Sequence, residues 1–178
     1  MGKFKQLILK YQDVLFPVFD VLLNGFNFFM HIYISWYISL NDYSILNASL
    51  SFLTILFVFG ISIQTYTTKE VGKSKDDHET IANVMTALVL VMMVMTSILL
   101  VASPLLMKFL RTSFGTIILI IMIFDVNIVL SFYRGLIQSH KMFQSLNKSF
   151  YIEFLTKLII IIVLLPFIPG IIIPLVGS

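Results

Sequence analysis

Asp20, Asn24, Asn27, His31 and Ser35 follow one another at intervals of four, three, four and four residues. On a helix that spacing puts all five on one face, in a segment that is otherwise almost wholly apolar. A second set, Asp125, Asn127, Ser131, Arg134 and Gln138, lies in the apolar stretch that begins near Gly115, and Glu153 and Lys157 stand one helical turn apart in a third. The chemistry within reach of these groups is ion pairing and hydrogen bonding, either along a hydrated path or between helices. Nothing in the set resembles a catalytic pair: the carboxylates fall in different segments, and no phosphate-cradling glycine loop, HExxH or nucleophile elbow is present. No enzyme activity, cofactor or metal site is expected.

The elements that hold these residues are apolar runs of membrane length. A hydrocarbon core of roughly 30 Å takes about 20 apolar residues in a helix. The chain has 178 residues, of which 58% are hydrophobic and 12% charged, with a mean hydropathy of +0.98. Soluble domains carry about 25% charged residues. The reading is an all-α, multispan transmembrane bundle forming a single domain over 1–178. Its helices are expected at about 14–38, 43–67, 81–106, 114–138 and 149–168, with a partial sixth at 171–178. The polar joints are read at Asn41-Asp42, Lys69 to Thr80, Lys108 to Ser113 and Gln138 to Lys148. Pro166, Pro169 and Pro174 punctuate the tail, where proline ends or kinks a helix. Lys3, Lys5 and Lys10 precede the first apolar run as in a signal peptide, but that run is bulky and has no small-residue cleavage site, so an uncleaved span is expected.

Charge sets the orientation. Lys3, Lys5 and Lys10, then Lys69, Lys73 and Lys75, then Arg134, Lys141 and Lys148 fall on alternate joints, while the opposite side has Lys108 and Arg111. The positive-inside rule puts the N-terminus in the cytoplasm of a multi-pass protein of the cell (inner or plasma) membrane. Tyr33, Trp36, Tyr37 and Tyr43 gather at the outer end of the first two spans, where an interfacial aromatic belt is expected. The net charge of +3 belongs to the joints and implies no nucleic-acid partner. The absence of cysteine removes thiol chemistry and disulfides.

A charge in lipid costs several kcal/mol, so the polar stripes face protein or water. Two readings follow for the first helix: one wall of a hydrated path, or interhelical hydrogen bonds worth about 0.6 kcal/mol each. Lys157, too deep to snorkel freely, pairs with Glu153 or with Asp125. Arg134 either contacts ligand or reaches for headgroups. His31 reads as a hydrogen-bonding wall residue.

Three stretches carry a resemblance to a known family: YISWYISLNDYSILNASLSFLTILF at 33–57, GISIQTYTTKEVGK at 60–73, and FYRGLIQSHKMFQSLNKSFYIEFLTKLIIIIVLL at 132–165. In their order and polar punctuation they resemble the polysaccharide transporter (flippase) group of the multidrug, oligosaccharidyl-lipid and polysaccharide exporter superfamily. The resemblance is to the N-terminal half of such a transporter. It implies a two-lobed molecule of which this chain supplies one lobe, pairing with a second half or a second copy. The implied cargo is a polyprenyl-pyrophosphate-linked oligosaccharide used in surface polysaccharide assembly, moved between leaflets by rocking of the lobes. Sugars would lie on the polar faces of the first and fourth helices and the lipid tail in the bilayer. Arg134 and Lys157 would meet phosphate, and Asp20 and Asp125 would couple transport to a proton or sodium ion. Two alternatives stand beside it: half of a cation-coupled multidrug exporter, and a small non-transporting assembly or immunity protein.

Overall fold

A computed structural model describes residues 25, 26, 28–74, 77–167, 170 and 172–176. Asp20, Asn24 and Asn27 lie outside the described residues, as do Lys3, Lys5, Lys10 and Lys75. What is described is helical: α1 over residues 28–35, then α2 Leu40–Lys73, α3 Asp77–Val101, α4 Ser103–Leu110, α5 Phe114–Ser139, α6 Phe143–Leu164 and the short α7 Ile172–Val176. Three of these, Leu40–Lys73, His78–Val101 and Phe114–Ser139, are long and apolar enough to cross a membrane. The protein is thus a helical membrane bundle. The α6 helix has the length of a span, with 22 residues, but carries Lys148, Glu153 and Lys157 in its apolar run.

The helices outrun their apolar segments. With 34 residues, α2 is roughly 51 Å long, well over the hydrocarbon thickness of about 30 Å. Hydropathy marks where the bilayer ends, whereas the helix continues through Thr67 to Lys73 beyond it. The polar joint read from Lys69 to Thr80 is therefore mostly helix, leaving residues 74–76 between α2 and α3. Likewise Phe143 to Lys148 form the first turns of α6, and the α5–α6 joint is only His140, Lys141 and Met142. Lys141 makes that turn in the left-handed region at φ 57, and the Met142 N–H donates to the Ile137 carbonyl at 3.0 Å.

Local chemistry explains the other boundaries. Ser39 caps α2, accepting from the Asp42 N–H at 3.1 Å while its hydroxyl donates to the Asp42 carboxylate at 2.7 Å. Ser113 caps α5 by accepting from the Thr116 N–H at 3.3 Å. The run read as one helix over 81–106 breaks at Ala102, because Pro104 has no N–H to continue the ladder. Exposed hydroxyls on the spans bond back to their own helix, as Thr54 does to the Leu50 carbonyl at 2.9 Å and Ser97 to Met93 at 2.7 Å. Self-satisfied in this way, they face lipid at little cost.

The core is the seam between α2 and α5. Buried positions on α2 fall at Leu46, Ser49, Leu53, Leu56, Gly60 and Thr67, and on α5 at Ile117, Ile120, Phe124, Ile128, Ser131 and Gly135. Steps of three and four residues, with one of seven from Gly60 to Thr67, make this a coiled-coil-like stripe. The two helices run parallel: Phe59 meets the ring of Phe124 at 6.4 Å, Gly60 abuts Asn127 and Ser131, and Thr67 abuts Gly135. Parallel neighbours require an odd number of crossings between them, supplied by α3 with its α4 extension. On the other side α1 runs alongside α6, with Phe26 against Phe154 at 6.3 Å and the Tyr33 hydroxyl donating to the Ile162 carbonyl at 3.4 Å. Trp36 is 75% exposed at the α1–α2 turn, with Tyr33 and Tyr37 beside it.

Candidate functional site

The α5 and α6 helices leave the turn at His140 and diverge, enclosing a groove of about 750 Å³ between them. One face of each lines it, at helical spacing: Leu119, Met122, Ile123, Val126, Asn127, Leu130 and Arg134 from α5, and Ser145, Lys148, Ser149, Ile152, Glu153, Thr156, Lys157 and Ile160 from α6. Phe57 of α2 and Val176 of α7 complete its floor. Arg134 and Lys148 sit at the end nearer the α5–α6 turn, Glu153 lies near the middle of the α6 wall, and Lys157 is one helical turn farther from the turn. Beyond Leu130 the α5 wall is apolar except for Asn127.

Arg134 anchors the charged cluster. Only 7% of the arginine is exposed, and at Gly135 next to it α5 presses onto the Gln64 carbonyl and the Thr67 side chain of α2. Its guanidinium pairs with the Glu153 carboxylate and lies over the Phe150 ring, 4.3 Å from the centroid. Glu153 uses its other oxygen for Lys157, at 3.2 Å. The pairing of Lys157 is thereby settled in favour of Glu153, and Arg134 joins it across the helix interface. The Arg134 Nε is buried without a hydrogen-bond partner.

The remaining sequence-predicted residues divide. Asn127 lines the groove, and its amide also lies against Gly60. Asp125 turns to the neighbouring seam, where its carboxylate accepts from the Thr96 hydroxyl of α3 at 2.9 Å. It is not a groove residue. His31 is half-buried on α1, and Ser35 donates to its own Ile32 carbonyl at 2.7 Å. Asp20, Asn24 and Asn27 lie outside the described residues. Gln138 binds on the α2 side, accepting from Gln64 at 3.1 Å and from Thr68 at 3.3 Å.

Sequence reasoning missed Lys148 as a groove residue, Phe150 as the arginine's platform, and Thr96, Gln64 and Thr68 as polar partners. The small polar run from Gly60 to Thr68 carried a signal for the last two, since Gly60, Gln64 and Thr68 recur every four residues on α2. For Phe150 there was none among so many aromatics.

The described helices form a membrane bundle with a groove lined by Arg134, Lys148, Glu153 and Lys157. The family model described as polysaccharide biosynthesis protein matches residues 13–178. The chain belongs to that family, with a role in polysaccharide biosynthesis or transport. No curated protein and no solved structure matches it.

Proposed function

We propose that this chain acts in moving lipid-linked oligosaccharide across a cell membrane during surface polysaccharide assembly. The observation that carries the reading is the groove itself: a cluster of Arg134, Lys148, Glu153 and Lys157, and an α5 wall from Leu130 to Leu119 that is apolar save for Asn127. A molecule with an anionic link and a long hydrocarbon tail matches both parts. Lys69, Lys73, Lys141 and Lys148 put the Arg134 end of the groove on the cytoplasmic side by the positive-inside rule, the leaflet in which such a cargo would be collected. The open side of the groove is where a second lobe or a second copy would close it, and rocking of one against the other would expose the site alternately. No bond is made or broken in this scheme, so no catalytic residue is assigned.

Coupling to a proton or sodium gradient falls to Asp20 and Asp125. Asn at position 125 still accepts from Thr96 but cannot ionise. In liposomes containing the protein and a fluorescent polyprenyl-pyrophosphate oligosaccharide, the fraction of label shielded from an external quencher should change with time when a gradient is imposed. Asp125→Asn should remove the gradient dependence and keep the fold. Label that moves no faster than in protein-free liposomes, with the chain alone or with its partner lobe, would sink the transport reading.

A further inference from the structure

Glu153 has two oxygens and divides them between two cations of different helices, one to Arg134 of α5 and one to Lys157 one turn along α6. An arginine presents five N–H donors in a planar fork. Here one terminal nitrogen is paired with Glu153, while the Nε is buried with no partner. The guanidinium is nevertheless held fast, more than nine-tenths buried and stacked on Phe150. Lys148 lines the same groove, so three cations face one carboxylate. A preorganised, under-used arginine in a zone of excess positive charge is built for a stronger anion than the one it holds.

We infer that Glu153 is an internal stand-in for the anionic headgroup of an amphiphile, whose phosphate takes its place on Arg134 while the hydrocarbon tail lies in the apolar part of the groove. A phosphate has three oxygens to offer where a carboxylate has two, and it matches the arginine fork bidentately. Glu153 does not have to enter lipid when displaced, because Lys157 keeps it at i,i+4. The tail has room: Leu119 to Leu130 covers roughly 16 Å of helix, about half of a bilayer core of roughly 30 Å. An amphiphile of one leaflet therefore fits from headgroup to tail end. The exchange would also untie α5 from α6, since the Arg134–Glu153 pair is the ionic tie between them among the described residues. This inference rests on the groove being the ligand site, and it adds the competitor that the ligand must displace.

The test is calorimetric titration of the purified protein in detergent with dioctanoyl phosphatidic acid, dioctanoyl phosphatidylcholine and inorganic phosphate. Phosphatidic acid should bind at least tenfold more tightly than either of the others. Glu153→Gln removes the competing charge and should tighten phosphatidic acid binding threefold or more. Glu153→Asp keeps the charge for Lys157 but falls one methylene short of Arg134, so it should shift affinity in the same direction. Arg134→Gln and Lys157→Gln should each weaken binding about tenfold, and Lys108→Gln, on α4, should leave it unchanged. If phosphatidic acid binds the parent protein but both Glu153 variants bind it no better or worse, the stand-in role is wrong and the groove survives as the ligand site. If inorganic phosphate binds as well as phosphatidic acid, the tail does not use the groove and the inference fails. If neither the parent protein nor the Glu153 variants prefer phosphatidic acid, the inference and the groove assignment fall together.

Discussion

Arg134 and Lys157 share one carboxylate, yet their surroundings give them unequal weight. The Arg134 side chain is 8% exposed and that of Lys157 33%. Truncating Arg134 leaves Glu153 with Lys157, but it removes a buried charge-assisted hydrogen bond worth about 1.5–3 kcal/mol and the stack on Phe150, worth about 0.5–2 kcal/mol. A half-exposed i,i+4 pair is worth about 0.5 kcal/mol. Arg134→Ala should therefore lower stability by about 3 kcal/mol and Lys157→Ala by less than about 1 kcal/mol, read from unfolding midpoints in detergent. Equal losses would mean that the groove end is solvated and that burial of Arg134 adds nothing. At this scale much was legible, because a charged residue in an apolar run has few places to go: Glu153 was one of the two partners open to Lys157, and the structure takes it. The partner of Asp125 was not. Threonine is nearly silent in a hydropathy profile, and most threonines of these spans bond to their own carbonyls, so nothing distinguished Thr96 from Thr86, whose hydroxyl donates to Ala82 at 2.9 Å.

Two glycines let α5 lie against α2, and they do so differently. A Cβ on Gly60 would come within 2.4 Å of the Asn127 Oδ1 and 2.7 Å of the Ser131 Oγ, both ends of side chains. A Cβ on Gly135 would meet the Thr67 Cβ at 2.7 Å and the Gln64 backbone carbonyl oxygen at 2.8 Å. Side-chain ends can rotate away, but a helix backbone cannot. Alanine gains roughly 0.8–1 kcal/mol over glycine in a helix, whereas overpacking costs about 1–3 kcal/mol. Gly60→Ala should come out within about 1 kcal/mol of neutral. Gly135→Ala should destabilise by about 1–2 kcal/mol and loosen the hydrogen bonds from Thr68 to Gly135 and Gln138. Unfolding midpoints of the two variants decide it, and a Gly135→Ala protein as stable as the parent would contradict the close approach. The long helices α2, α3, α5 and α6 were readable from apolar length. Their ends were not, because Thr67 to Lys73 and Phe143 to Lys148 are polar yet helical, and hydropathy reports the solvent around a residue rather than its backbone.

Across the whole molecule, the alternation of spans and the positive joints make a claim about sidedness. The chain has no cysteine, so single cysteines report without a background. A cysteine at Arg111, in the turn after α4, should react in intact cells with a maleimide that cannot cross the membrane. One at Lys73, at the end of α2, should react only after permeabilisation. The reverse pattern would invert the bundle and put the Arg134 end of the groove outside. The groove could not have been found from the sequence, although most of its charges could. It exists because α5 packs against α2 while α6 lies beside α1, with room left between α5 and α6. No local pattern encodes such a competition between partners.

The parallel seam also sets a timetable. Gly135 stands 67 residues beyond its partner Thr68, and a ribosome adding about 5–20 residues per second takes roughly 3–13 s to make that stretch. For that interval α2 is in the membrane without the helix it was shaped to meet, with Gly60, Gln64 and Thr67 turned toward lipid or toward whatever insertion machinery holds it. A codon change or arrest that lengthens the pause between the two helices would leave α2 waiting longer, and assembly in the cell could suffer while the finished protein, refolded from the same sequence, remained sound.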